Sequence, residues 1–295
     1  MAIGGDIVVD DKNKIINYYN SYYNMLKRTY DFLGYKLKYN YCDKEFLNEM
    51  KKYASIPIPD DFQVSYIDVQ YNFYDCFLNI LNDFNNEELM ELFKNLYSKT
   101  NIVDDSNLDI NECRSFIIPS NDNSYNYLIN IPKDYSQTNI LYAALAHEFA
   151  HFFTMVNNQN QELYEYSEVL SIFFEYLMYE YITPFFGYQF FVNNRLAALK
   201  NNFSDLKDDL RYANNPHYLD IPSDMYSLPL ADAISYSDGL EYVLLLIDKM
   251  NCDNKKDVYN SMAKVALGLS TFSQEAKRFD IDTSSYNNIK KLIKK

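Results

Sequence analysis

The segment QTNILYAALAHEFAHFFTMV, residues 137–156, contains two of the three histidines of the chain and neither proline nor glycine. This composition predicts a helix, because no residue in the segment interrupts the backbone hydrogen bonds of a helix. Residues four positions apart lie about 40° apart around a helix axis, so His147 and His151 are expected on one face. Two imidazoles on one face can bind the same zinc ion, and in HExxH zinc hydrolases the glutamate at the position of Glu148 is the general base.

A second interpretation of the HExxH pentapeptide stays open, because so short a pattern occurs by chance in unrelated proteins. His147 and His151 could be core residues with satisfied hydrogen bonds, or a pair on the surface. Two arguments favour zinc. The helix is otherwise apolar, and an unpaired imidazole is costly to bury there. A catalytic zinc also needs only three protein ligands and one open position, and the sequence offers a third ligand.

The candidate for the third ligand is Glu168, on a helix predicted to begin at about residue 162 after the turn NNQNQ, residues 157–161. If the two helices pack antiparallel about this turn, Glu168 is the carboxylate closest to the position opposite the histidines. Glu162 and Glu165 lie nearer the turn and are expected to face solvent. Glu175 lies seven residues beyond Glu168 on the same face, where it could accept a hydrogen bond from a ligand histidine.

Most of the remaining chain shows helical periodicity, and the fold class is predicted to be mainly α. The short runs RSFIIPS and YNYLINIP, separated by NDNS, predict a β-hairpin or a small antiparallel sheet just before the histidine helix. YNYLINIP could pack as an ordinary strand, or it could present an edge to an extended peptide. Helices are predicted at about 138–156, 162–182, 188–203, 224–250 and 255–278.

Composition excludes several classes of protein. The hydrophobic fraction of 48% excludes a disordered chain, and the net charge of −14 argues against binding to nucleic acid. No signal peptide and no uninterrupted apolar stretch long enough to span a membrane is evident, so a cytoplasmic protein without membrane contact is expected. The four cysteines are far apart and suggest reduced thiols rather than a disulfide framework; they are Cys42, Cys76, Cys113 and Cys252.

Two stretches, YNYLINIPKDYSQTNILYAALAHEFAH and the following YSEVLSIFFEYL, resemble the M3 family of zinc metallopeptidases, the group of thimet oligopeptidase and oligoendopeptidase F. The resemblance covers roughly residues 115–290, and Glu168 and Glu175 match the family's paired acids by motif. It implies a zincin-like helical catalytic domain over 101–295. The N-terminal helical region, 1–100, would be a reduced lid, in what is expected to be one continuous domain.

The resemblance also implies a gluzincin mechanism on a peptide substrate. His147, His151 and Glu168 would bind Zn²⁺, and Glu148 would take a proton from the zinc-bound water and deliver it to the leaving amine. The expected substrates are short, extended peptides. A non-catalytic relative that keeps zinc as a scaffold or binds peptides is the main alternative, and a secreted proteolytic toxin is a third.

Members of the family stabilise the oxyanion of the scissile carbonyl with tyrosine and histidine side chains from the C-terminal region. Tyr236, in ISYSDG, is the best match to such a donor in this chain. His217 and Tyr226, in NNPHYLDIPSDMY, are possible substitutes, because the family's richer tyrosine and histidine run is replaced here by SLPLADAIS.

Overall fold

The computed structural model describes residues 72–103, 113–119, 125–131, 139–157, 163–198 and 227–283. These residues are mainly helical, as predicted. In chain order the helices are α1 (Phe73–Asp83), α2 (Glu87–Ser98), α3 (Asn139–Asn157), α4 (Leu163–Ile182), α5 (187–198), α6 (Ser227–Lys249), α7 (Lys255–Ala266) and α8 (Phe272–Lys277), and a π-helical turn, Met250–Asn254, joins α6 to α7.

Polar side chains define where several of these helices begin. Asn72 and Asn86 each accept a backbone hydrogen bond from the third residue after them, at the start of α1 and α2. Thr271 and Gln274 form a reciprocal capping box at the start of α8. Such caps satisfy backbone N–H groups that the first turn of a helix leaves without a partner.

A small mixed sheet accompanies the helices. Its strands are β1 (Thr100–Val103), β2 (Arg114–Pro119) and β3 (Tyr125–Asn130), in the order β1-β3-β2. The two strands expected from RSFIIPS and YNYLINIP, β2 and β3, pair antiparallel, and β3 also pairs parallel with β1, so the sheet as a whole is mixed. The residues that would close β2 and β3 into a hairpin, 120–124, lie outside the described ranges.

The position of β3 also corrects one functional interpretation of YNYLINIP. Residues Tyr127–Asn130 pair with β1 on one side and with β2 on the other. A strand paired on both sides has no free row of backbone groups for a peptide substrate. The interpretation of this strand as a substrate-binding edge is therefore wrong, and in the described residues the outer strands of the sheet are β1 and β2.

Helices α3 and α4 form the centre of the core, and α3 is buried on two opposite sides. On one side, Phe149 contacts the rings of Phe73, Phe93 and Tyr97, with centroid separations of 5.5, 5.4 and 5.6 Å. Phe77 adds to this group, and we call these five residues the aromatic cluster. The other side of α3 carries the two histidines. Through this cluster, α1 and α2 pack in the same core as α3. The predicted boundary at residue 100 between an N-terminal region and a catalytic region stays a prediction.

The C-terminal region differs from the single helix predicted at about 255–278. α7 ends at Ala266 and α8 starts at Phe272. Between them Gly268 has a φ of +67°, and a Cβ there would lie 2.2 Å from the backbone oxygen of Asn157. Glycine alone accepts both this backbone conformation and this close approach, so the chain turns here instead of continuing as a helix.

Within the described ranges, no helix combines the length and apolarity that crossing a membrane would require.

Candidate metal centre

Three side chains predicted as zinc ligands lie together in the core. The Nε2 atoms of His147 and His151 are 3.1 Å apart, and Oε2 of Glu168 lies 3.1 Å from the first and 3.5 Å from the second. Four bonds of about 2.0–2.1 Å in tetrahedral geometry would place zinc ligands about 3.3 Å apart. The three atoms therefore have the spacing of one face of a zinc coordination tetrahedron.

The antiparallel packing of two consecutive helices creates this convergence. His151 on α3 contacts Ser171 on α4, and His147, one turn earlier on α3, contacts Glu175, one turn later on α4. Moving backward along one helix thus means moving forward along the other. Glu168 reaches the two histidines from the same side of α4, since residues three and four apart share a helix face.

Both histidines make a further contact through the ring nitrogen that faces away from the convergence point. Nδ1 of His147 lies 3.2 Å from Oε2 of Glu175, and Nδ1 of His151 lies 3.0 Å from Oγ of Ser171. When each Nδ1–H donates to its oxygen partner, each Nε2 is left with a lone pair directed toward Glu168. This is the tautomer that a histidine needs in order to bind a metal through Nε2.

Helix α5 supplies a cation behind the histidines. Arg195 donates from Nε to Oε1 of Glu175 over 2.9 Å, and its Nη2 forms an ion pair with Oε2 of the same carboxylate. The guanidinium also lies 5.7 Å from the ring centroid of Tyr236. That ring stacks on the imidazole of His147, with centroids 6.1 Å apart and planes 23° apart.

The electrostatics of His147 follow from these contacts. Burial lowers the pKa of the imidazole, but hydrogen bonds to Glu168 and Glu175 and the charge of Glu168 outweigh burial and raise the pKa to about 9. Burial likewise lowers the pKa of Arg195, but the charges of Glu175, Tyr236 and Glu168 and the hydrogen bond to Glu175 together outweigh burial and raise this pKa above its ordinary value. Without a metal, a proton on His147 therefore partly balances the carboxylates around it.

Close packing brings α6 against the ligand helix. A Cβ on Gly239 would lie 2.7 Å from Cδ1 of Ile172 and 3.0 Å from Cβ of Glu168. Glycine therefore allows α6 to approach α4 at the level of the predicted metal ligand. Tyr236 lies three residues earlier, on the same face of α6, which explains how its ring comes to lie against His147.

The structure brings together most of the residues that were predicted for the site. His147, His151 and Glu168 meet at one point, Glu175 and Tyr236 contact His147, and Glu148 is buried on the same helix with 5% of its surface exposed. His217 and Tyr226 lie outside the described residues, as does the predicted turn at 158–161.

Two contributing residues, Ser171 and Arg195, were not predicted from the sequence. Ser171 follows Glu168 by three residues and so lies on the same helix face, a pattern that could have identified it. Arg195 is the one cation within helix α5, 187–198, which is otherwise apolar or neutral. That isolation was a signal, but no local pattern connects Arg195 with Glu175, twenty positions earlier.

The histidines, the glutamate and their outer contacts form an arrangement that can hold a divalent metal ion. Comparison of the chain with protein-family models, with curated proteins and with solved structures finds no match in any of the three.

Proposed function

We propose that this protein is a zinc-dependent peptidase of the gluzincin type that hydrolyses short, extended peptides. The observation that supports it best is the convergence of three ligand atoms, two of them histidine nitrogens oriented by Glu175 and Ser171. A zinc ion would be held by His147, His151 and Glu168, and the fourth position would stay open, as catalysis requires.

The charges of the site support a divalent cation. Glu148, Glu168 and Glu175 are all buried, and Arg195 forms an ion pair with Glu175. A divalent ion bound by His147, His151 and Glu168 would add positive charge beside these buried carboxylates. Buried charges are stable only when they are paired or bound to a metal, so this set of residues suits Zn²⁺.

The chemistry divides between the metal and the side chains. When bound, zinc supplies a Lewis acid that polarises a carbonyl oxygen and lowers the pKa of water. Glu148 accepts the proton of the attacking water on its carboxylate and then delivers it to the amine nitrogen that leaves. Glu175 and Ser171 hold the histidine rings in orientation, and Tyr236 is the candidate donor to the developing oxyanion.

A library of internally quenched peptides tests this proposal. The wild-type protein should cleave members of the library, lose activity with a chelator and regain it on addition of Zn²⁺. Glu148→Gln should keep its zinc and lose about 10²- to 10⁴-fold in kcat, since it removes proton transfer but leaves the ligands intact.

The same assay separates the peptidase from its main alternative. A wild-type protein that binds zinc with 1:1 stoichiometry yet cleaves no peptide would contradict the proposed activity. It would favour the non-catalytic relative, in which zinc serves a scaffold or a peptide-binding site.

A further inference from the structure

Arg195 is not a candidate ligand, but it contacts two residues that lie against the ligand His147, namely Glu175 and Tyr236. Its side chain is mostly buried, with 16% of its surface exposed. One edge of the guanidinium meets the carboxylate of Glu175, and the group also lies over the ring of Tyr236. Glu175 lies on α4 and Tyr236 on α6, so one side chain of α5 contacts both of these helices beside the metal centre.

On the α4 side, the guanidinium determines how the carboxylate of Glu175 is oriented. Nε of Arg195 binds Oε1 and Nη2 binds Oε2, which is the two-point geometry that fixes the plane of a carboxylate. The Oε2 atom held in this way is the one that lies 3.2 Å from Nδ1 of His147. Arg195 therefore acts on His147 through Glu175.

On the α6 side, the aromatic ring of Tyr236 lies against two groups at once. The guanidinium of Arg195 is 5.7 Å from its centroid, and the imidazole of His147 stacks on it at 6.1 Å. A cation over the face of this partly buried ring contributes attraction and limits the movement of the ring. About one turn after Tyr236 on α6, the close contact of Gly239 with α4 also helps to hold the ring of Tyr236 in this position.

We propose that Arg195 is a positioning residue that orients His147 through Glu175 and holds Tyr236 beside the metal centre. This proposal rests on the proposed zinc peptidase function. Lysine cannot replace arginine fully, because a compact ammonium group lacks the planar fork that binds both carboxylate oxygens while stacking on a ring.

Zinc affinity, measured by competition with a chromophoric chelator, tests the α4 side without any need for peptidase activity. Arg195→Met should raise the zinc dissociation constant by about 10- to 100-fold, the range for lost partners of ligand histidines. Arg195→Lys should recover part of this loss. Arg278→Met is the matched control, because Arg278 also pairs with a glutamate, Glu275, but lies at the end of α8. The zinc affinity of this variant should equal that of the wild type.

A double-mutant cycle links the effect to Glu175. If Arg195 acts through that carboxylate, Arg195→Met should weaken zinc binding much less in a Glu175→Gln background than in the wild type. Equal effects in both backgrounds, or wild-type affinity in the single Arg195→Met variant, would overturn the α4 half of the proposal. If Arg195→Met does not fold by circular dichroism, Arg195→Lys replaces it in the cycle, with the same criteria.

The α6 side is tested by the kinetics of the zinc-saturated protein. Arg195→Met should lower kcat with little change in KM, and combining it with Tyr236→Phe should lower kcat no further than the more damaging single substitution. If the loss in kcat of the double variant equals the product of the two single losses, the role assigned to Tyr236 is overturned. A wild-type protein that binds no zinc would instead contradict the proposed function, and this inference with it.

Discussion

The two buried sides of α3 use opposite kinds of interaction. On one side Phe149 belongs to the aromatic cluster, where rings lie between 4.6 and 6.4 Å from their neighbours in stacked, tilted and edge-on arrangements. On the other side His147 meets Glu168 and Glu175 through individual nitrogen and oxygen atoms. His147 and Phe149 lie two positions apart on the same helix and are almost equally buried, with 3% of His147 and none of Phe149 exposed.

The difference shows which property each side requires. Dispersion between aromatic rings is weakly directional, so the cluster depends mainly on filled volume. Hydrogen bonds and metal coordination depend on the identity and orientation of single atoms, so the histidine side depends on chemistry. Substitutions that preserve volume should therefore be tolerated on the aromatic side and should be damaging on the histidine side.

The strongest effect is expected at Glu168 and Glu175 of α4. Replacing each with glutamine preserves its size and removes its charge. Glu168→Gln should lose the third ligand and weaken zinc binding by more than about 100-fold, whereas Glu175→Gln should cost about 10- to 100-fold. Metal analysis after dialysis, together with a chelator titration, measures both. Zinc content equal to that of the wild type in Glu168→Gln would contradict its assignment as a ligand.

The second effect concerns the volume of the aromatic cluster. Phe93 is fully buried against Phe77 and Phe149, so Phe93→Ala should lower the free energy of unfolding by about 3–5 kcal/mol. Phe93→Leu, which keeps most of the volume, should cost about 1.5 kcal/mol or less. Urea denaturation gives both values. Zinc affinity of the folded variants should equal that of the wild type, and a parallel loss would show that the two sides of α3 are coupled.

The smallest effect concerns pH. In the metal-free protein the pKa of His147 is raised to about 9, above the value near 6.5 of an unfolded chain. The stability this contributes is fully present below about pH 6.5 and is lost as the pH rises through about 9. The loss should reach at most about 3 kcal/mol, because one pKa unit corresponds to about 1.4 kcal/mol.

Denaturation in the presence of a chelator, at several pH values from 6.5 to 9.5, measures this dependence. Zinc binding competes with the proton on His147, so the stabilisation by added Zn²⁺ should grow over the same range. His147→Gln removes the titrating group and should flatten the slope of the metal-free protein. An equally steep slope in that variant would assign the pH dependence to other residues.

Local periodicity predicted a substantial part of this protein. Four residues make about one turn of a helix, so the shared face of His147 and His151 follows from their spacing alone. The short connection between two apolar helices predicts antiparallel neighbours, and this arrangement places Glu168 and Glu175 near the histidines. These inferences succeeded because each depends on residues close together in the chain.

Features that depend on distant segments were missed. Paired residues of β1 and β3 are 27 positions apart in the sequence. A strand of four residues is too short for its sequence pattern to predict such a distant parallel partner. The bend at Gly268 was hidden in the same way, since the reason for it is the backbone of Asn157, more than a hundred positions earlier.

Helical spacing and a short turn set the geometry of the two histidines, of the glutamate between them and of the acids on the next helix, so these features follow from local sequence. The contacts of Arg195 with Glu175 and of Tyr236 with His147 depend instead on tertiary packing. Those contacts arise where α5 and α6 pack on α4, and packing between distant segments depends on the shape of the whole core rather than on any local spacing.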